Sequence, residues 1–177
     1  MNTANKLTVF RIILIPFFVL FMLTDFTAFN RLIALILFIT ASITDQLDGH
    51  IARKYNMITS FGKFMDPIAD KLLVSSALIC LSSLGELPAW VVIVIILREF
   101  AISGLRLVAT ENGSVIAAAG WGKAKTVSQM TLIIIMLLNI PQLHILSQIA
   151  MYTAVVLTLI SLVDFMLKNK DTFIMDK

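Results

Sequence analysis

Charged residues are scarce in this sequence. Asp, Glu, Lys and Arg make up 14% of the 177 residues, whereas they make up about a quarter of a typical soluble domain. Hydrophobic residues make up 59% of the chain, and its mean hydropathy is +0.94. So few polar residues cannot cover the surface of a soluble globule of this size. The composition therefore excludes an ordinary water-soluble fold and predicts an integral membrane protein.

Cysteine and low-complexity sequence are also nearly absent. The chain has one cysteine, Cys80, which lies in an apolar run. A single cysteine excludes a disulfide framework within the chain and predicts a small buried side chain. There is no internal repeat or composition shift, so residues 1–177 are predicted to form a single domain. We expect no nucleic-acid partner.

Long apolar runs are what the sequence does contain. At about 20 residues for each membrane crossing, six segments are long enough to span a bilayer. The prediction is an all-α, polytopic membrane protein with six transmembrane helices. The predicted spans are Leu7–Thr24, Arg31–Lys54, Phe64–Leu84, Pro88–Ala109, Ala124–Ile140 and Ile145–Leu167.

The distribution of Lys and Arg predicts the orientation, because basic residues accumulate on the cytoplasmic side. If the N-terminus is cytoplasmic, only Arg31 lies on the outer side. An even number of spans then places both termini in the cytoplasm. The predicted location is the plasma membrane. The inner side would carry Lys6, Arg53, Lys54, Lys63, Lys123, Lys125, Lys168, Lys170 and Lys177.

Four aspartates interrupt the apolar pattern between positions 45 and 70: Asp45, Asp48, Asp66 and Asp70. Residues three or four apart lie on the same face of a helix, so each of two successive helices should present a pair of carboxylates. Ionised carboxylates are costly within a membrane, and four together repel one another unless cations are bound. An all-oxygen pocket of this kind suits one or two Mg²⁺ or Mn²⁺ ions.

The position of Asp45 predicts where this pocket opens. It lies fourteen residues after Arg31, which is about 21 Å along a helix. In a hydrocarbon core about 30 Å thick, Asp45 is then roughly a third of the way in from the cytoplasmic side. The small residues Gly49 and Ala52 let a ligand approach the helix backbone. Arg53 suits phosphate oxygens. We expect an active site that faces the cytoplasm.

These residues form a known pattern. The sequence D-x2-D-G-x2-A-R-x8-G-x3-D-x3-D is matched at all eight positions by Asp45, Asp48, Gly49, Ala52, Arg53, Gly62, Asp66 and Asp70. It resembles the signature of the CDP-alcohol phosphotransferases. The segments Asn5–Arg11, Leu97–Arg106 and Gly122–Thr126 are similar to the branch that uses glycerol 3-phosphate as the acceptor.

The resemblance implies a reaction and its site. CDP-diacylglycerol gives its phosphatidyl group to sn-glycerol 3-phosphate and CMP is released. The enzyme depends on Mg²⁺ or Mn²⁺, with two ions at Asp45, Asp48, Asp66 and Asp70, and works as a homodimer in the bilayer. By the same resemblance Asp70 is the general base. The predicted CDP-diacylglycerol site contains Asn5, Thr8, Asp48, Gly49, Ala52, Arg53 and Gly62.

The acceptor of that reaction carries a phosphate dianion and requires fixed cations. Arg106, Lys123 and Lys125 are the candidates, with Arg98 as a further one. Each has a second interpretation. The lysines suit an inner membrane interface, Arg106 can extend to that interface from the end of its helix, and Arg98 can pair with the adjacent Glu99.

Three alternatives remain open from the sequence. The same chemistry can use another acceptor, such as inositol phosphate, inositol, serine or phosphatidylglycerol. A divalent-cation or proton-coupled transporter also uses intramembrane carboxylates, although the chain shows no inverted repeat. A purely structural membrane subunit explains none of the signature.

Overall fold

The computed structural model describes residues 3–54, 60–111 and 120–169, without the side chains of residues 3–5, 45–54, 60–64, 66, 67 and 108–111. Regular structure in these ranges is entirely helical. The all-α prediction is therefore confirmed, with one α-helix for each predicted apolar segment. The helices are α1 (Thr3–Leu23), α2 (Asn30–Lys54), α3 (Ser60–Ser83), α4 (Ala89–Glu111), α5 (Gly120–Leu138) and α6 (His144–Lys168), and a short 3₁₀ helix (Pro141–Leu143) precedes α6.

Several helices extend beyond the predicted apolar segments. Helix α3 begins at Ser60 rather than Phe64, and α5 begins at Gly120 rather than Ala124. Hydropathy detects only the part of a helix that would lie in hydrocarbon, whereas main-chain hydrogen bonding continues through the polar residues at its ends. The extension of α3 places Asp66 well inside the helix rather than at its first turn.

The end of α3 is set by a glycine. Gly85 has φ of +74°, a conformation that glycine adopts without a steric penalty. The N–H of Gly85 donates to the carbonyl of Ser82 at 3.0 Å, and the N–H of Glu86 donates to the carbonyl of Leu81 at 3.0 Å. This pair of bonds is a Schellman motif. Pro88 follows and precedes the first residue of α4.

The connection between α1 and α2 is closed by Asn30, which is buried. Its side-chain oxygen accepts hydrogen bonds from the main-chain N–H and the hydroxyl of Thr27, both at 2.9 Å. Its side-chain nitrogen donates to the carbonyl of Thr24. One amide thus satisfies the main chain on both sides of the turn.

The chain divides into two compact units. Unit 1 consists of Met1–Leu87 with Met136–Asn139, and in it α1 packs on both α2 and α3. The rings of Phe18 and Phe38 meet with centroids 6.0 Å apart. Completely buried alanines (Ala34, Ala41, Ala69 and Ala77) occupy the same core, and small side chains of this kind allow helices to approach closely.

A bidentate ion pair also lies in unit 1. Arg31, at the start of α2, donates to both carboxylate oxygens of Glu86, one of them at 2.6 Å. It also donates to the main-chain oxygen of Met136 at 3.0 Å. The side chains of Arg31 and Glu86 are 26% and 30% exposed, so solvent weakens the attraction between their charges.

The Glu86→Gln variant, which removes the negative charge, is therefore expected to lower the free energy of unfolding by no more than about 1 kcal/mol. Thermal unfolding in detergent, at low and at high salt, measures this effect. The difference from wild type should shrink at high salt. A loss several times larger, or one independent of salt, would contradict this assignment.

Unit 2 consists of Pro88–Ile135 with Ile140–Lys177. Helix α6 packs against α4 through one stripe of buried residues: Ala154, Val155, Thr158, Ser161 and Phe165. Three of the five are larger than alanine and carry a hydroxyl or an aromatic ring. The interior of the unit therefore contains hydroxyl groups and an aromatic ring as well as aliphatic side chains.

The described helices expose extensive apolar surface. Two stretches are long and apolar enough to cross a membrane, Lys6–Leu23 and Pro141–Lys168, and Asn30–Thr44 is a shorter apolar stretch. Such exposure would promote aggregation in water but suits contact with lipid. Large exposed apolar side chains include Ile13, Phe17, Leu32, Ile36, Ile93, Leu97, Phe100, Ile149 and Val163.

Candidate active site

The four aspartates lie on helical backbone in unit 1. Asp45 and Asp48 fall within α2, and Asp66 and Asp70 fall within α3. Helical geometry places the members of each pair on one face of their helix, and α2 and α3 contact each other. The helical placement that the sequence predicted is thus confirmed for both pairs.

Of the four carboxylates, only that of Asp70 is described. It is partly buried and interacts with another group. The neighbouring Ala69 is completely buried, so Asp70 borders the core of unit 1. The side chains of Asp45, Asp48 and Asp66 lie outside the described set. Among the side chains that are described, no three acidic, histidine or cysteine side chains form a group that could hold a metal ion.

Of the residues predicted to bind CDP-diacylglycerol, only Thr8 has a described side chain. Thr8 on α1 is completely buried and interacts with another group. Asn5 and Gly62 lie on described backbone, in α1 and α3 respectively, and Gly49, Ala52 and Arg53 lie in α2. Their side-chain surroundings are outside the described set, so this part of the predicted site stays a prediction.

Arg11 was not among the predicted site residues, yet it is completely buried in α1. It lies one turn after Thr8, in the same three-helix unit as the aspartates. A buried guanidinium requires compensating partners, and Arg11 does interact with other groups. The sequence offered one signal, which is a basic residue at the start of an apolar run.

The predicted phosphate-binding cations lie in unit 2, and two of them meet at Glu99. Lys125 of α5 forms an ion pair with Glu99 of α4, and Arg98 donates to the same carboxylate oxygen at 3.3 Å. The side chains are only 5% (Lys125), 10% (Arg98) and 14% (Glu99) exposed. The structure thus confirms the Arg98–Glu99 pair and adds Lys125, which the sequence did not connect with it.

Arg106 lies farther along α4 and is exposed. Its guanidinium carbon lies 5.8 Å from the centroid of the Phe165 ring. Lys123 is exposed at the start of α5. Arg98, Glu99, Arg106 and Lys125 together carry three positive charges and one negative charge, which makes this end of unit 2 attractive to an anion.

A neighbouring polar contact joins α5 to α6. Gln129 donates to the hydroxyl of Thr158 at 3.2 Å, and both side chains are buried. Thr158 in turn donates to the carbonyl of Ala154 at 2.6 Å. Buried polar groups are stable only when they are paired, and this contact pairs a side chain of α5 with one of α6.

Comparison with known proteins identifies the family of this chain. The family model for CDP-alcohol phosphatidyltransferases matches residues 1–160, which is most of the 177-residue sequence. The chain belongs to this family. The match includes both aspartate pairs and all four candidate phosphate-binding cations, so the membership predicted from the signature is confirmed.

Named relatives resemble the chain over nearly its whole length. The CDP-diacylglycerol–glycerol-3-phosphate 3-phosphatidyltransferase of Bacillus subtilis is 45% identical over 95% of both chains. A probable phosphatidylglycerophosphate synthase of Mycobacterium tuberculosis is 44% identical over 93% of this chain and 79% of its own. The CDP-diacylglycerol–glycerol-3-phosphate 3-phosphatidyltransferase of Rickettsia bellii is 40% identical over 90% of this chain and 91% of its own.

Two general properties of this family agree with the molecule. Its members are embedded in membranes, which fits the exposed apolar helices. They generally depend on divalent metal ions. Two carboxylate pairs on contacting helices supply only oxygen donors, the type that Mg²⁺ and Mn²⁺ prefer. The residues present therefore fit a divalent cation by chemical type and by their helical spacing.

Proposed function

We propose that the protein transfers the phosphatidyl group of CDP-diacylglycerol to sn-glycerol 3-phosphate, giving phosphatidylglycerophosphate and CMP. The similarity to the Bacillus enzyme across 95% of both chains carries this proposal. The cation-rich end of unit 2 supports it independently, because glycerol 3-phosphate is a doubly charged acceptor, whereas serine and inositol bear no phosphate.

At phosphorus the reaction forms one bond and breaks one. The sn-1 hydroxyl oxygen attacks the phosphorus that bears diacylglycerol, and the bond from that phosphorus to the oxygen of CMP breaks. Asp70 accepts the hydroxyl proton, and CMP leaves with the bonding electron pair. Positioning and charge stabilisation supply most of the catalysis in transfers of this type, so no covalent enzyme intermediate is needed.

Asp45, Asp48, Asp66 and Asp70 would hold the metal, as two Mg²⁺ or Mn²⁺ ions. When bound, these ions would neutralise the pyrophosphate and the charge that develops on CMP.

The donor is proposed to bind beside the carboxylates. The absence of bulky side chains at Gly49 and Ala52 allows the nucleotide to approach the α2 backbone. Arg53 at the end of α2 suits a phosphate oxygen. The buried Thr8 hydroxyl lies on α1, which packs on both aspartate-bearing helices. The remaining proposed donor contacts are Asn5, Asp48 and Gly62.

The acceptor phosphate is proposed to bind Arg98, Arg106, Lys123 and Lys125. Arg106 and Lys123 are exposed, while Arg98 and Lys125 are buried and share Glu99. In this arrangement the exposed cations meet the phosphate directly. The buried cations contribute charge from a surrounding of low dielectric, where electrostatic attraction is stronger than in water.

Replacing Arg106 or Lys123 with alanine is expected to raise the KM for glycerol 3-phosphate about tenfold, because a hydrogen bond to a charged group is lost. The KM for CDP-diacylglycerol should change little. Steady-state kinetics with each substrate varied in turn measures both values. Lys168→Ala is the control, since Lys168 pairs with Asp164 on α6 and should leave both constants unchanged. An unchanged acceptor KM in both variants would contradict the proposed phosphate site.

The proposed setting is the plasma membrane, with six spans, both termini in the cytoplasm and the active site facing it. Lys and Arg lie mostly in the segments assigned to the cytoplasmic side of the membrane, and this bias supports the orientation. We further propose that residues 1–177 act as one domain, since the family match runs across both units. The active form is proposed to be a homodimer.

Reconstituted vesicles loaded with a divalent-cation indicator test the reaction against transport. An enzyme releases CMP from CDP-diacylglycerol when glycerol 3-phosphate is added and leaves the indicator unchanged. Ion uptake without consumption of CDP-diacylglycerol would instead support a cation transporter and overturn the proposed reaction.

A further inference from the structure

Helix α6 contains none of the predicted site residues, yet it contacts two of them, Arg98 and Arg106. Thr158, Ser161 and Phe165 lie on one face of α6 at spacings of three and four residues, and all three are buried. Ser161 contacts Arg98, and Phe165 contacts Arg106. The same helical face thus meets both arginines of α4 that are proposed to bind phosphate.

Ser161 fixes one end of the Arg98 guanidinium. The Nη2 atom of Arg98 donates to the Ser161 hydroxyl, and the Nη1 atom donates to Glu99 at 3.3 Å. Ser161 is completely buried, and Arg98 is 8% exposed. The planar guanidinium is therefore held from two helices at once, which restricts its rotation.

Phe165 supports Arg106 in a different way. The ring is 1% exposed, so packing fixes its position, while Arg106 itself is exposed. A cation is attracted to the face of an aromatic ring. A guanidinium can contact a ring and still direct N–H donors to a phosphate. The fixed ring therefore favours one placement of an otherwise flexible side chain.

The hydroxyls of α6 that are not buried make a different kind of contact. Ser147 is half-buried and Thr153 is exposed, and each donates to a main-chain oxygen of α6 at 2.8 Å. This is the usual arrangement for hydroxyls on helices. Ser161 instead accepts a hydrogen bond from an arginine on another helix.

We propose that Ser161 and Phe165 are positioning residues: Phe165 holds Arg106 in the orientation that binds the phosphate of the acceptor, and Ser161 holds the buried Arg98 where its charge attracts that phosphate. This inference rests on the proposed function. It assigns to α6 a part in recognising a phosphorylated acceptor alcohol. Preorganised donors bind more tightly because less side-chain freedom is lost on binding.

Ser161→Ala and Phe165→Leu test the proposal, with Ser147→Ala as the control on the same helix. Ser161→Ala and Phe165→Leu should each raise the KM for glycerol 3-phosphate about threefold. The KM for CDP-diacylglycerol should stay within about twofold of wild type in both. Phe165→Tyr, which keeps the ring, should restore the wild-type acceptor KM.

Stabilisation of each purified variant by glycerol 3-phosphate, measured as a shift in Tm, gives a readout that does not depend on turnover. The shift should be present in wild type and in Ser147→Ala and reduced in the two test variants. If wild type shows the shift without releasing CMP, and the variants lose it, the positioning role stands and the proposed reaction falls.

Other outcomes overturn the positioning role. Unchanged acceptor KM and Tm shift in both variants would do so. Equal increases in the KM for both substrates would also do so, because they indicate a general structural defect. If Ser161→Ala does not fold, Phe165→Leu and its tyrosine counterpart decide the outcome by the same measurements.

Discussion

The Asp70→Asn variant is expected to fold normally and to lose at least about a hundredfold in kcat, because general base catalysis contributes at least that much. Asparagine keeps the shape of the side chain but cannot accept the proton of the acceptor hydroxyl. Asp70 is the one aspartate of the four whose side chain is described, and its partly buried position bordering Ala69 allows an isosteric replacement.

Single-turnover CMP release and binding of CDP-diacylglycerol, measured on the same preparation, separate chemistry from donor binding. Much of the donor binding should remain while release is lost. Asp25→Asn is the matched control, because Asp25 is exposed in the connection between α1 and α2. Activity near the wild-type level in Asp70→Asn would remove Asp70 from the role of base.

The second large effect concerns stability and involves Glu99. Glu99→Gln leaves Lys125 and Arg98 buried without the carboxylate that they share. Breaking a buried ion pair by removing one partner costs about 3–5 kcal/mol. We expect a loss of this order in the free energy of unfolding, several times the effect expected for Glu86→Gln, whose ion pair is more exposed.

Unfolding by denaturing detergent measures this loss. Glu99→Asp keeps the charge and should recover part of the stability. Combining Glu99→Gln with Lys125→Met removes both members of one pair, so the double variant should lose less than the sum of the single variants. Strict additivity of the two substitutions would show that the pair is not coupled.

The helices were predictable because each contains an apolar run, although among the described residues only Lys6–Leu23 and Pro141–Lys168 are long and apolar enough to cross a bilayer. The three- and four-residue spacings of the aspartates could be interpreted on that basis, and α2 and α3 are helical at both pairs. The helix ends were less predictable. Hydropathy falls at polar residues such as Lys63 and Lys123, so the predicted segments end there, whereas the main-chain hydrogen bonding of the helices continues through them.

The charged cluster of unit 2 was only partly predictable. Arg98 and Glu99 are adjacent, so their pairing was considered from the sequence. Lys125 is 26 residues from Glu99, and no local pattern connects them. On α6, Ser147, Thr153 and Ser161 all look like ordinary hydroxyls of a membrane helix. Which of them faces the interior depends on the rotation of the helix, and packing against α4 determines that rotation.

The most direct test of the central claim is CMP release from CDP-diacylglycerol by the purified protein with Mg²⁺. The acceptor panel contains glycerol 3-phosphate, inositol phosphate, inositol, serine and phosphatidylglycerol, and each reaction is repeated with EDTA. We predict release with glycerol 3-phosphate alone, abolished by EDTA and restored by added Mg²⁺ or Mn²⁺. Release with serine or inositol but not with glycerol 3-phosphate, or release that persists in EDTA, would contradict the account.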